Sequence, residues 1–290
     1  MFILAATIIA AVCRSDYNNM RNENLERMRR EMLREAQLKM LSILEAIDKV
    51  CKAHDIGYWI EGGTLLGAMR HGGFIPWDDD VDISMQRCDY ERFIEVAAKE
   101  LPPHLFLQTR NTDPSFHHRE CKVRDLNSFI ADGGDDTGAD YQKGLFVDIF
   151  PYDEGPSKFH KQMGKVARGI TVATVVLDGL HHYSWHAVGQ LLYFGIKRPL
   201  LKAAWRLGCL LWANGEYVAI DPHFSWCCAI HKKSNLFPLG EVEFEGKRFS
   251  APAKPDAYLT TLYGDWHQMP PKEKQQIHSM LILPKLVDKD

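Results

Sequence analysis

The chain has 290 residues, 46% hydrophobic and 25% charged, which places it among ordinary globular proteins and away from disordered or low-complexity chains. Thirty-five basic residues stand against 38 acidic ones, a net charge of −3, so the strongly basic balance of a nucleic-acid binder is excluded and no nucleic-acid partner is expected. Seven cysteines, an odd number at irregular spacings, argue against a disulfide framework and for a reducing compartment, hence a cytoplasmic location.

The first element is ambiguous. Phe2 to Val12 is apolar, but no Lys or Arg precedes it, and it is far shorter than the roughly 20 residues a bilayer span needs. Residues 1–20 are therefore set apart as an uncertain segment. From Asn19 to His54 the spacing predicts a helix. Leu25, Met28, Met32, Ala36, Met40, Ile43, Ile47 and Val50 recur at steps of three and four on one face, with charges such as Glu26-Arg27 on the other. Gly57 ends it, and Tyr58-Trp59-Ile60 reads as a short strand.

Tyr90 to Glu100 predicts an amphipathic helix ended by Pro102-Pro103. Extended pieces follow at Leu105–Gln108, Glu120–Arg124 and Leu145–Phe150, with an acidic, glycine-rich loop at Asp132–Asp140. Lys158, Lys161, Lys165 and Arg168 then fall on one helical stripe, ahead of a long apolar and aromatic stretch that runs to Trp212. The expected organisation is a catalytic core at 21–154, a helical insertion at 155–220, and a C-terminal part at 221–290 packing on the core.

The chemistry concentrates between the first strand and the second helix. Asp78, Asp80 and Asp82 alternate, and Val81-Asp82-Ile83 has strand character, so an extended backbone turns the three carboxylates to one face and Asp79 away. Like charges so close need a cation, and a hard divalent ion with oxygen ligands, Mg²⁺ or Mn²⁺, is the natural partner. Gly62-Gly63-Thr64 just upstream offers small residues whose backbone N–H groups can approach phosphate. Phe146-Val147-Asp148-Ile149-Phe150 embeds one carboxylate in an apolar strand, which is costly unless paired, and a shared metal site with Asp80 and Asp82 explains it economically. Glycines, an acidic strand and a third acid on a neighbouring strand predict an α+β fold of the nucleotidyltransferase kind: a mixed β-sheet flanked by helices, with a helical insertion.

Glu61 to Ser84 closely resembles the LicD family of phosphocholine transferases, which also takes in the fukutin-related proteins. The similarity continues through Lys122-Val-Arg124-Asp-Leu-Asn, Lys143-Gly-Leu-Phe-Val-Asp148, Phe244-Glu-Gly246, and Tyr258 to Trp266, and it reaches His278. The resemblance runs from about Ile43 to His278, and within it only 155–220 carries no recognisable motif beyond its helical character. Ser84 stands where the family often has Gly. The resemblance implies transfer of a phospho-alcohol, typically phosphocholine from CDP-choline, onto a glycan or its lipid-linked precursor, with CMP leaving; relatives use CDP-ribitol. It places metal on Asp80, Asp82 and Asp148, and leaves Asp78 either supporting the site or serving as base for the acceptor hydroxyl.

Other readings compete at several positions. An EF-hand calcium loop fails because Ile83 replaces the required Gly and Asp89 the bidentate Glu. A sugar-nucleotide glycosyltransferase would use Asp-x-Asp but explains neither the glycines nor Asp148. Arg70 and His71 sit either at the pyrophosphate or on a solvated helix end, and Lys122 and Arg124 either reach phosphate oxygens or decorate a surface strand. Trp59 and Trp77 are core or pocket walls, with Trp77 the better candidate to stack on a base or cage a choline cation. His223, Cys227, Cys228 and His231 invite a zinc site, against which buried free thiols are the default, and His117-His118-x2-Cys121 earns less. In the insertion, Leu200, Leu201, Ala204, Trp205, Leu207 and Leu211 form an apolar side with Lys202 and Arg206 opposite. Two readings stay open there: a helix pair lying peripherally on the inner face of an anionic membrane, or helices packed on the core.

Overall fold

A computed structural model describes residues 2–116, 121–132, 138–179, 184–222 and 229–286, with backbone only for 2–23 and 132. The chain opens with helix α1 (Phe2–Ala53), which continues the predicted helix back through the apolar segment. Its buried face begins only at Leu33 and runs through Ala36, Met40, Ile43, Leu44, Ile47 and Cys51, whereas Leu25 and Met28 are exposed. The periodic stripe thus extends further than the surface available to cover it.

The remaining elements of the first half are β1 (Tyr58–Ile60), α2 (Gly62–His71), β2 (Asp82–Gln86), α3 (Arg87–Glu100), β3 (Leu105–Gln108), β4 (Cys121–Asp125), β5 (Phe129–Asp132) and β6 (Phe146–Glu154). The insertion is α4 (His160–Asp178) and α5 (Trp185–Trp212). After it come β7 (Tyr217–Ile220), β8 (Ile230–Lys232), α6 (Lys233–Leu236), β9 (Gly240–Phe244), β10 (Lys247–Ala251), α7 (Pro255–Tyr263), a single turn at Lys272–Lys274, and β11 (Ser279–Leu283). This is an α+β fold.

The main sheet is mixed, in the order β1-β2-β6-β4-β3, and only the β2–β6 pair is parallel. Strand β6 outruns β4, and its last residues pair with β7, which pairs with β8. Alternation assigns the two faces. Ile83, Met85, Val147, Ile149, Cys121, Val123 and Leu107 form an apolar face. Helices α1 and α3 cover it, fixed by Lys39 on Asp125 (2.7 Å), Tyr58 on Asp48 (2.7 Å) and Arg87 on Asp153. The other face carries the polar residues and receives α7.

The C-terminal part is woven into the core. The β9–β10 hairpin turns at Glu245-Gly246, both at positive φ, and the Glu245 carboxylate accepts from Arg34 of α1 (2.6 and 3.0 Å) and from the Phe74 backbone N–H (3.0 Å). That accounts physically for the Phe244-Glu-Gly246 motif. Arg34 holds the Glu245 carboxyl below its ordinary range. Strand β11 pairs antiparallel with β5, elements that the short apolar runs at 129–132 and 279–283 did not announce.

Candidate active site

The site is a row of polar residues laid across the sheet rather than along one strand. Strand register sets Asp82 of β2 opposite Asp148 of β6, Asp148 opposite Lys122 of β4, and Lys122 opposite Gln108 of β3. Neighbours in register share a face and stand about 5 Å apart, so the two carboxylates meet where parallel strands bring them together. The expectation that Asp78, Asp80 and Asp82 lie on one strand is corrected here. Only Asp82 is in β2; residues 78–81 form an irregular approach to it. Asp79 does point away, buried, with its carboxylate accepting the Ser279 backbone N–H (2.6 Å) and hydroxyl at the start of β11.

Electrostatics mark the cluster. Burial, then the charges of Asp80, Asp148, Asp78 and Glu61, hold the Asp82 carboxyl well above the usual range. Burial, then Asp80 and Asp79, do the same for Asp78, with Arg70 acting against them. Asp148 is paired with Lys122, whose Nζ lies 2.6 and 2.8 Å from its two oxygens and 3.8 Å from the centre of the Phe146 ring. The partner that an apolar strand demands for Asp148 is therefore supplied by the protein itself.

The N-terminus of α2 abuts these acids. Gly62 has φ +49, and a Cβ there would lie 3.4 Å from Asp82 Oδ2 and 3.6 Å from the Tyr263 hydroxyl, while one on Gly63 would lie 3.0 Å from Asp78 Oδ2. Side chains would crowd the carboxylates, and φ at Gly62 adds strain for any other residue. Thr64 locks the junction by accepting the Asp82 backbone N–H at 2.9 Å, and the Glu61 N–H donates to the Asp82 carbonyl at 2.9 Å. The first-turn N–H groups of α2 give this end a positive potential beside negative side chains.

Glu61 is a hub that the sequence did not assign. It is fully buried and accepts from Trp59 Nε1 (3.0 Å), the Tyr152 hydroxyl (3.1 Å) and the Tyr258 hydroxyl. Burial raises its pKa, and these donors together with Ser84 oppose the rise. His231 stacks on Tyr258 at 4.1 Å, and burial pushes its imidazole down to about 3. Tyr258 and Tyr263 both fall within the closing motif, which was the available signal. Trp59 is wholly buried against Tyr152 and Phe237, so it is core and not a ligand cage.

Arg70, His71 and Trp77 gather at the far end of α2. Arg70 Nη1 donates to the carbonyls of Trp266 (3.2 Å) and Gln268 (3.4 Å), which ties α2 to the segment after α7. Among the described residues, Arg70 Nε and His71 Nδ1 are buried without a hydrogen-bond partner. Burial, then Arg70, lowers the His71 pKa. Trp77 meets His71 edge to face at 6.3 Å. Arg124 is placed inside the protein, donating to Gln108 and to the Gly144 carbonyl (2.7 Å) and lying over the Phe146 ring; this is neither of the two positions expected from sequence. His117, His118, His223, Cys227 and Cys228 lie outside the described residues.

Asp82 and Asp148, with Asp80 and Asp78 beside them, are the residues available to a cation. Among the described residues no three His, Cys, Asp or Glu side chains already stand as a ligand shell. A register-matched carboxylate pair still suits Mg²⁺, which takes one or two carboxylates and completes its shell with water and substrate phosphate. Lys122 can be tested by stability alone. Lys122→Ala strands a buried carboxylate and is expected to cost roughly 3–5 kcal/mol in urea unfolding. Lys122→Ala with Asp148→Asn should recover most of that loss, and a cycle with no coupling would show the ion pair to be without energetic weight.

Comparison with known proteins identifies the family. A family described as LicD/FKTN/FKRP, nucleotidyltransferase domain, matches residues 55–184. The lipopolysaccharide cholinephosphotransferase LicD of Haemophilus influenzae is 31% identical over 272 residues, covering 87% of this chain and 97% of that protein. The human ribitol 5-phosphate transferase FKRP is 47% identical over 53 residues, 18% of this chain and 9% of FKRP. An uncharacterized Rickettsia prowazekii protein, RP689, is 29% identical over 122 residues, 42% of each chain. The mixed sheet, the family match and the LicD relative together mark a phosphotransferase with a nucleotidyltransferase-like domain. The chain belongs to the LicD family.

Proposed function

We propose that this enzyme transfers a phospho-alcohol, phosphocholine from CDP-choline, to a hydroxyl of a cell-surface glycan or its lipid-linked precursor. The observation that carries this reading is the Asp82–Asp148 pair in register beside the N-terminus of α2. That arrangement suits a pyrophosphate, because negative oxygens gain from the α2 N–H groups and lose only if the acids stay uncompensated. Asp80, Asp82 and Asp148 would hold Mg²⁺ or Mn²⁺, which when bound supplies charge neutralisation at the pyrophosphate.

The residues of the chain then divide the work. Asp78, whose proton affinity is raised by burial, Asp80 and Asp79, takes the proton of the acceptor hydroxyl. The acceptor oxygen forms a bond to the phosphorus bearing the alcohol, the bond from that phosphorus to the bridging oxygen breaks, and CMP departs with the electron pair. Lys122, already paired with Asp148, and the N–H groups of Gly62, Gly63 and Thr64 would neutralise the charge that develops on the leaving phosphate, with Arg70 supporting them through its attraction to Asp78. Arg124 acts by bracing Gln108 and the Gly144 turn beneath Lys122. Trp77, partly buried beside His71, offers an aromatic face for a choline cation.

Methyl-labelled CDP-choline tests the assignment. The label is expected on the glycan with stoichiometric CMP. Recovery as free phosphocholine, with cytidine on the acceptor, would mean attack at the other phosphorus. Thermal protection by CDP-choline compared with CDP-ribitol identifies the alcohol.

A further inference from the structure

The insertion ends in an apolar surface that the catalytic site does not use. Helix α5 has 28 residues and is about 42 Å long. One side packs on α4. Leu201 reaches Gly169, where a Cβ would lie 2.8 Å from Leu201 Cδ1, Gly208 abuts Met163, and Trp205 and Trp212 pack around Met163. Leu201 and Trp205, grouped from the sequence on one apolar side with Leu200, Leu207 and Leu211, are thus turned inward.

The outward side is a different set. Trp185, Val188, Leu192, Ile196, Leu200, Leu207 and Leu211 are all exposed, Trp185 at 91%. At 100° per residue these seven fall within an arc of about 140°, centred opposite the residues that meet α4. Leu210, 81% exposed, lies in the same arc. A strip of this length exceeds the scattered apolar residues of an ordinary protein surface.

Charge decides what covers it. Helix α5 carries Lys197, Arg198, Lys202 and Arg206 and no acidic residue. By the same angles Lys197 borders the strip on one side, and Lys202 and Arg206 border it on the other. Lys161, Lys165 and Arg168 are exposed on α4. A second copy would set cationic borders against cationic borders. A bilayer with anionic headgroups accepts both the apolar strip and its margins. Among the described residues no helix is long and apolar enough to cross a membrane, so the strip suits lying on one.

We infer that the outer face of α5 docks in the plane of an anionic membrane surface, with Trp185 to Leu211 against the acyl chains and the lysines and arginines at the headgroups. The test is flotation of the full chain with vesicles of phosphatidylglycerol and phosphatidylcholine, beside vesicles of phosphatidylcholine alone. Binding to the anionic vesicles only, weakened by salt, is expected. Leu192→Gln with Leu200→Gln should reduce it about tenfold or more, at an unchanged melting temperature because both residues are exposed. Lys197→Gln with Lys202→Gln and Arg206→Gln should do likewise. Absence of flotation with either vesicle, or undiminished flotation of the leucine variant, overturns the inference. So does a stable dimer that the leucine variant dissolves, which would assign the strip to a second copy. CMP release in the absence of vesicles reads the catalytic assignment separately.

Discussion

Asp82→Asn is expected to lower turnover on the order of 10³-fold while the metal-free protein melts at or above the wild-type temperature. The two effects have one cause. Asp82 is held among Asp80, Asp148, Asp78 and Glu61, which raise its pKa on top of burial, so the folded protein carries electrostatic repulsion that an amide removes. On the function proposed above, the same amide also weakens the hold on the cation at the pyrophosphate. Thr64 should preserve the backbone, because it bonds the Asp82 N–H and not the side chain. Steady-state kinetics with added Mg²⁺, together with melting curves in chelator, check both arms. Turnover at the wild-type level would remove Asp82 from the chemistry, and a large fall in melting temperature would make it a structural residue.

Gly144→Ala is expected to destabilise the fold by about 3 kcal/mol or more, lowering the melting temperature on the order of 10 °C. A Cβ at this position would overlap the Asp125 carbonyl oxygen, a backbone atom that cannot rotate away. The contact joins the end of β4 to the residues just before β6. Asp125 N–H donates to the Leu145 carbonyl (2.8 Å), Leu145 N–H donates to Ser128 (2.9 Å), and Arg124 bonds Gly144 O. Forcing β4 and β6 apart would also separate Lys122 from Asp148, so activity should fall with stability. Circular dichroism melts decide it: a wild-type melting temperature would show that the turn relaxes freely.

Much of the fold was legible because periodicity reports burial. The β3 boundaries follow from the sequence, α3, β4 and β6 differ by a few residues at one or both ends, and α1 ends one residue before the expected His54 but begins at Phe2 rather than Asn19. Strands β5 and β11 were not legible, because each depends on a partner about 150 residues away and neither alternates clearly. At the site, residue types were readable and the geometry was not. Alternation along one strand grouped Asp78, Asp80 and Asp82, but the convergence that matters runs across strands, from Asp82 to Asp148 to Lys122, and depends on register. Glu61 went unassigned because its donors, Tyr152 and Tyr258, come from 91 and 197 residues away. The apolar residues of α5 were grouped as one side for a related reason. Two apolar sides exist on that helix, and only the position of α4 tells them apart.

The bond between Asp79 and Ser279 bears on the order in which a growing chain becomes competent. Asp79 belongs to the acidic run, yet its buried carboxylate is satisfied by a residue 200 positions later. Until β11 has emerged from the ribosome and paired with β5, that carboxylate must stay hydrated, although Gln37 already holds the Asp78 carbonyl and the Asp148 N–H the Val81 carbonyl. The row on the sheet can form earlier, since β2, β4 and β6 precede the insertion. Within the approach to it, Asp79 takes its hydrogen bonds from one of the last strands made. A nascent chain therefore acquires the row on the sheet before the Asp79 side chain is seated, and chains broken off short of Ser279 are expected to keep the acidic run with the Asp79 carboxylate left to water.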